Sequence, residues 1–360
     1  MLTAANHEFM GQALELAGRG LYTTTPNPRV GCVIAKDGAV VGTGWHAKAG
    51  MPHAEVLALK AAGARSRGAT LYVNLEPCSH HGRTPPCVDA IIEAGVERVV
   101  VAMQDPNPQV AGAGFARLRA AGIAVEQGLM EDGARELNIG FVARMTRGRP
   151  WMRVKIAASL DGRTALASGR SQWITGEPAR RDGHRWRARA CAVLTGFGTV
   201  RDDDPQLNVR GVDTPRQPLK IVVDSKFETS PSARVLQGGK TLVVGAVNDA
   251  KRIASLKGAG AEVVIIPNDV GKVELFKLME ELARRELNEI HVEAGAKLNG
   301  SLLQAGVVDE LLVYLAPSLI GDSGRGMFHL PVLTELSRSK ALKIREVERV
   351  GEDLRILARL

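Results

Sequence analysis

Apolar residues recur at helical spacing over residues 3–20, where Met10, Ala13, Leu14 and Ala17 share one face and Thr3 stands as a cap. Two short apolar runs follow, VGCVIA and AVVGTGW, split by Asp37-Gly38; the pair predicts a β-hairpin. Helical and strand patterns then alternate. A helix over 54–63 leads to a strand at 69–76, one over 86–95 to a strand at 97–103, and one over 112–121 to a strand at 123–127. A last helix is predicted over 131–146. Arg147-Gly148-Arg149-Pro150 breaks the pattern and marks a boundary. A second series opens at WMRVKIAASLDG, with strands near 191–195, 219–224, 241–245, 262–266, 289–293 and 308–315, and helices near 178–189, 272–286 and 299–306. Such alternation predicts an α/β architecture with mostly parallel sheets in two domains. No internal repeat interrupts it.

Composition adds little to the fold but narrows the function. The chain has 360 residues, 45% of them hydrophobic and 24% charged, which excludes disordered and fibrous classes. The net charge of +8 suits anionic partners. Residues 1–148 are nearly neutral, so the excess lies in the second half. No apolar stretch approaches the roughly 18 residues of a membrane span, and the start lacks the pattern of a signal peptide. A cytoplasmic protein with no membrane partner is expected. Cys32, Cys78, Cys87 and Cys191 make a poor disulfide framework; metal binding or burial fits them better.

Chemistry concentrates in the first half. Pro52-His53-Ala54-Glu55 opens a predicted helix, Pro77-Cys78 closes a strand, and Cys87 opens the next helix. A catalytic zinc site needs three nitrogen or sulfur ligands and one open position for water. His53, Cys78 and Cys87 supply that set, and Glu55 is placed to shuttle protons. His80 and His81 are expected to be loop or pocket residues, since a fourth protein ligand would close the site. Cys32 and Cys191 are expected to pack as small hydrophobes.

In the second half, glycines follow two predicted strands, in Thr195-Gly196-Phe197-Gly198-Thr199 and in Glu293 through Ser301. The latter runs into a helix, whose backbone N–H groups and dipole suit a pyrophosphate, although tight turns use glycine anyway. Ten arginines and no lysine fall between residues 163 and 216, with Arg180, Arg181, Arg185, Arg187 and Arg189 on one helix. Arginine pairs well with phosphate oxygens. A solvated helical face accounts for many of them, and sparse aromatic residues argue against nucleic acid.

His53, Glu55, Pro77 and Cys78 resemble the zinc-dependent cytidine deaminases, with one departure: the cysteines stand nine residues apart, as PCSHHGRTPPC. That insert, with Met103-Gln104-Asp105-Pro106-Asn107-Pro108, resembles the bifunctional riboflavin-biosynthesis deaminase–reductase family, and the likeness runs through nearly the whole chain. It implies a cytidine-deaminase-like α/β/α domain over residues 1–147. A dihydrofolate-reductase-like α/β domain over 148–360 would follow, opened by the Lys155–Gly162 and Ser171–Thr175 motifs. It further implies zinc and NADPH as cofactors and a pyrimidine ribosyl phosphate as substrate. Ala157, Trp173, Thr199, Asp203, Ser225 and the run Gly295, Ala296, Lys297, Leu298, Asn299, Gly300 and Ser301 would face the cofactor. Ser171, Arg187, Leu207, Arg210 and Glu293 would face the substrate. Asn27, Arg83, Thr84, Asp105 and Asn107 are further pocket candidates that turn chemistry explains equally well. Asp224 at a strand end suits a ribose 2′-hydroxyl and so NADH, with Lys226 as a counter-charge; the family points to NADPH. Homo-oligomers are common among such enzymes, and no segment marks an interface.

Overall fold

A computed structural model describes residues 3–81, 85–108 and 110–360, which form two compact units, Met1–Gly148 and Arg149–Leu360. The first unit runs α1 (Ala4–Gly18), β1 (Gly31–Lys36), β2 (Ala39–Trp45), α2 (Ala54–Ala62), β3 (Thr70–Leu75), α3 (Cys87–Glu93) and β4 (Arg98–Met103). It ends with α4 (Ala113–Ala120), β5 (Ala124–Gln127), α5 (Glu131–Leu137) and α6 (Ile139–Arg147). Its sheet has the order β2-β1-β3-β4-β5, antiparallel from β2 through β1 to β3 and parallel from β3 to β5.

Helices cover both faces because glycines let them approach. A Cβ on Gly31 would lie 2.1 Å from the Ala13 carbonyl of α1. On the opposite face, a Cβ on Gly42 or Gly44 would lie 2.3 Å from the carbonyl of Ala58 or Ala54 in α2. Backbone therefore rests on backbone, and the start of α2 is fixed against β2. The single helix expected over 131–146 is instead two. Asn138 breaks it, because its side-chain amide accepts from the Arg29 N–H (2.8 Å) and donates to the Arg29 carbonyl (3.0 Å).

The second unit runs β6 (Trp151–Ser159), β7 (Arg163–Ala165), α7 (Glu177–Arg189), β8 (Ala192–Gly196), α8 (Phe197–Asp203), β9 (Leu219–Val223), β10 (Thr241–Gly245) and α9 (Ala250–Gly258). There follow β11 (Glu262–Ile265), α10 (Leu275–Arg284), β12 (Glu289–Val292), α11 (Ala296–Gln304), β13 (Glu310–Ala316), β14 (Arg325–Gly326), β15 (Lys343–Val350) and β16 (Asp353–Arg359). Nine strands make one sheet, β11-β10-β9-β8-β12-β6-β13-β16-β15, parallel from β11 to β13 and closed by the antiparallel β16 and β15. β15 forms its edge and exposes Ile344 and Val347. The run from Glu293 leads into a helix as expected, α11, and the Thr195–Thr199 run begins one too, α8. Among the described residues no helix is long and apolar enough to cross a membrane.

Candidate active sites

The extended backbone of His53 caps α2, Cys78 follows the end of β3, and Cys87 is the first residue of α3. His53 Nδ1 lies 3.1 Å from Cys87 Sγ and 3.6 Å from Cys78 Sγ. The Cys87 N–H donates to Cys78 Sγ at 3.2 Å, as the first turn of a helix can. In a tetrahedral zinc site a nitrogen and a sulfur ligand stand roughly 3.5 Å apart, so the three donors fit that ion without rearrangement. The Cys87 thiol donating to Cys78, helped by His53, holds the Cys78 sulfur down to about 4, so one thiolate is stable in advance. The same shared proton raises Cys87.

Glu55 stands one position into α2 from Ala54 and is buried, with Oε2 lacking any partner. Burial, then the Cys78 charge, pushes its carboxyl up to about 7. A buried carboxyl poised near neutrality with an unpartnered oxygen can both take and return a proton. His80 and His81 are exposed and outside this cluster, while Cys32 lies buried in β1 and Cys191 is buried just before β8.

A second layer supports the ligands. The Asn27 amide donates to His46 Nε2 (3.0 Å), which leaves His46 Nδ1–H to donate to the Pro52 carbonyl (3.2 Å). Burial keeps that imidazole neutral, and its ring meets the His53 ring edge-on, 5.2 Å between centroids. Asn27 thus reaches the site through His46. Glu76, which sequence reasoning missed, is buried and accepts four main-chain N–H groups, from Asp105, Gly112, Gly114 and Phe115. It ties the 104–112 loop to the strand end that carries Cys78. Its signal was a carboxylate next to Pro-Cys at the close of an apolar strand. Asp105 is buried beside it, raised to about 6 by burial, and its Oδ1 accepts the Asn107 N–H. Arg83 and Thr84 lie outside the described residues.

In the second unit, the carboxyl ends of β6, β8, β9 and β12 carry the other candidates, as ligand sites in open α/β sheets require. Gly196 and Gly295 precede α8 and α11, and a Cβ on Gly295 would meet only Thr199 Oγ1, at 4.0 Å; one on Gly198 would meet nothing. This open, glycine-lined cradle with free N–H groups at the start of α11 fits a dinucleotide pyrophosphate. Ala157 is half-buried near the end of β6, and Asp203 closes α8. Within 295–301, Leu298 packs on Gly196, and Gly300 packs on the His329 carbonyl. The Asn299 amide donates to the carbonyls of Ala294 and Met327. Those three face the protein, leaving Gly295, Ala296 and Lys297 toward the cradle. Ser301 Oγ donates to the Lys297 carbonyl.

Arg187 and Glu293 form a two-pronged ion pair, one arm of 2.9 Å, and Arg187 also donates to the Asn208 carbonyl (2.9 Å). Burial alone would raise Glu293, but the Arg187 guanidinium overcomes it and holds the carboxyl well below the usual range. Leu207, buried at φ +54°, and Arg210 lie on the strap that Arg187 grips, and the Arg210 N–H donates to His184 Nδ1 at 3.2 Å. Burial and these arginines push His184 down to about 4. Burial also lowers the Lys155 ammonium, which Glu293 opposes. Ser171 and Trp173 lie on the segment before α7, where Trp173 is 69% exposed under the Arg180 guanidinium, 4.8 Å away. One expectation needs correction. Asp224 cannot serve a ribose hydroxyl: it is buried, and its oxygens take the Thr229 N–H (2.6 Å), the Thr229 hydroxyl (2.8 Å) and the Lys226 N–H (3.3 Å).

Comparison with known proteins matches each half to a family. Residues 3–103 match the cytidine and deoxycytidylate deaminase zinc-binding region, and residues 150–356 match the RibD C-terminal domain. The riboflavin biosynthesis protein RibD of Escherichia coli is 50% identical, covering 96% of this chain and 97% of its own. That of Haemophilus influenzae is 47% identical, over 97% and 95%. The solved structure of Acinetobacter baumannii RibD superposes with a TM-score of 0.92 at 44% identity, over 99% and 98% of the two chains. A diaminohydroxyphosphoribosylaminopyrimidine deaminase/5-amino-6-(5-phosphoribosylamino)uracil reductase of Thermotoga maritima reaches 0.88 at 34%, over 98% of each. With a His/Cys/Cys zinc site in one half and a reductase domain in the other, the chain belongs to the RibD family, the bifunctional deaminase–reductases of riboflavin biosynthesis.

Proposed function

We propose that residues 1–147 deaminate a diaminopyrimidinone ribosyl phosphate and that residues 148–360 reduce the sugar of the product to a ribityl chain. The observation that carries this reading is the His53, Cys78 and Cys87 cluster beside the unpartnered, buried Glu55 oxygen. Zinc held by those three side chains supplies the Lewis acidity that makes water a nucleophile at neutral pH. Glu55 Oε2 takes the proton of the attacking water and returns it to the departing amine. Asn27 Oδ1 orients the base, and Glu76 and Asp105 shape the pocket wall.

In the second unit the start of α11 and Thr199 would hold NADPH, which would supply the hydride for reduction at C1′ of the ribosyl group. The ring oxygen leaving C1′ needs a proton, and Lys155, its ammonium weakened by burial, is the donor that stands with Glu293. Thr199, Asp203, Ser225 and the start of α11 hold the cofactor; Ser171, Leu207 and Arg210 hold the sugar phosphate. Arg187 acts chiefly by fixing Glu293 and the 207–210 strap. A homo-oligomer joined along β15 fits the apolar side chains on that edge, and a cytoplasmic location fits four cysteines that form no disulfide.

Ammonia release and NADPH loss, followed separately with the diaminopyrimidine phosphate, test the assignment. The purified protein should hold about one zinc per chain. A strong chelator should stop ammonia release while leaving NADPH oxidation on deaminated substrate intact. Full deamination by verified metal-free protein would overturn it.

A further inference from the structure

Between α8 and β9, residues 204–218 run as an irregular strap past Arg187. Leu207 and Val209 are buried, Asn208 is half-buried and Arg210 is exposed. A main chain outside a sheet must find its hydrogen bonds elsewhere. Here side chains supply them for three successive residues. The Asn208 carbonyl accepts from Arg187 Nη1 at 2.9 Å. The Val209 N–H and carbonyl pair with the Gln217 amide at 2.7 and 3.3 Å. The Arg210 N–H donates to His184 Nδ1 at 3.2 Å.

His184 and Arg187 stand three residues apart on α7 and so share a face. Arg187 joins the strap to Glu293, and His184 adds a second hold one turn away. A main-chain N–H only donates, so Nδ1 is the acceptor and the ring proton sits on Nε2. That arrangement needs an uncharged imidazole. The charged groups around it are Arg187 on α7, Arg210 on the strap, Glu293 just past β12 and Lys155 on β6. Burial, then Arg187 and Arg210, outweigh Glu293 and keep the ring neutral at neutral pH. Cations that suit a phosphate thus also preserve the lone pair that holds the strap. Arg210 is braced at both ends: its N–H by His184, and Nη1 by Asn208 Oδ1 at 2.8 Å.

We propose that His184 is a positioning residue of the reductase site, whose Nδ1 lone pair holds the Arg210 main chain so that the Arg210 guanidinium meets the sugar phosphate. An exposed arginine fixed in advance loses less freedom when it binds, so the gain belongs to substrate affinity and not to turnover. The proposal rests on Arg210 being a phosphate ligand, and the experiment separates the two.

KM and kcat for NADPH oxidation on deaminated substrate are measured with the full chain and with Arg210→Ala, His184→Leu, His184→Ala, His184→Asn and the double variant of Arg210→Ala with His184→Leu. Arg210→Ala should raise KM roughly tenfold to a hundredfold. His184→Leu and His184→Ala should each raise it roughly threefold to tenfold, with kcat within about twofold. His184→Asn, whose Oδ1 accepts in place of Nδ1, should return KM to within about twofold of wild type. Once the Arg210 side chain is gone, adding His184→Leu should raise KM by less than about twofold, because the group it positions is missing. Equal fold losses with and without that side chain overturn the proposal and leave Arg210 in place as a ligand. So does an asparagine variant as impaired as the leucine one, or a fall in kcat at unchanged KM. If Arg210→Ala leaves KM unchanged, Arg210 is no phosphate ligand and the proposal falls with it.

Discussion

Glu55 and Arg187 show how one side chain's surroundings decide its chemistry. Glu55 is a buried carboxylate whose loss of water and neighbouring Cys78 charge outweigh the support of His53. Glu55→Gln preserves shape and removes the exchangeable proton. Deamination should fall by roughly 10²–10⁴-fold with zinc content unchanged; loss of zinc together with activity would make Glu55 a ligand or a brace. Arg187 is the opposite case, a cation whose partner is a part-buried carboxylate. Truncating it strips Glu293 of its main partner and leaves only His291 and Lys155 beside it, so Arg187→Ala should cost about 1–3 kcal/mol in stability as well as most reductase turnover. Arg181, exposed on the same helix and paired only with Glu177, should be nearly silent as Arg181→Ala, within about 0.5 kcal/mol. Thermal unfolding and NADPH oxidation read both. Equal reductase kinetics for wild type and Arg187→Ala would remove that pair from the site.

At the scale of elements, the deaminase site is held by where α2 begins. Gly44→Ala would drive a methyl to 2.3 Å from the Ala54 carbonyl and lift the first turn that carries His53 and Glu55. Zinc binding and deamination should drop together while NADPH oxidation on deaminated substrate persists, and metal analysis beside the two assays would show it. The ligand set was legible in the sequence because each ligand stands at an element end with its own signal: Pro-His before a helix, Pro-Cys after a strand, Pro-Pro-Cys before a helix. The supports were not. Glu76 and Asn138 act on main-chain groups far along the chain; Glu76 at least stands beside Pro-Cys at a strand end, whereas nothing local announces the partner of Asn138. The α8 start reads as a loop because glycines dominate it, although Gly196 precedes a helix and makes room for Leu298. The β16–β15 hairpin escaped notice for another reason. In KIREVERV the apolar residues Ile344, Val347 and Val350 recur at every third position and nearly all side chains are exposed, so the alternation that marks a half-buried strand is missing.

For the whole molecule, that open strand has a cost unless another surface covers it. An exposed edge carrying Ile344 (62% exposed) and Val347 (56%) offers unpaired backbone groups and apolar side chains together, which soluble proteins avoid leaving bare. Joining two copies along β15 would satisfy both. Light scattering should find a dimer or larger species, and Ile344→Lys with Val347→Lys should yield monomers; an unchanged mass would exclude β15 as the joint.

The position of β12 bears on how the chain is made. Residues 289–292 fill the slot between β6 and β8, so on a ribosome both neighbours emerge long before the strand that unites them. Until then the middle of the second sheet is a gap with two unsatisfied edges, a state prone to aggregate. The first unit faces no such wait, since its sheet and its metal ligands all precede residue 128. A nascent chain can therefore complete and metallate its hydrolytic half while the reductive half is still an open sheet awaiting its central strand.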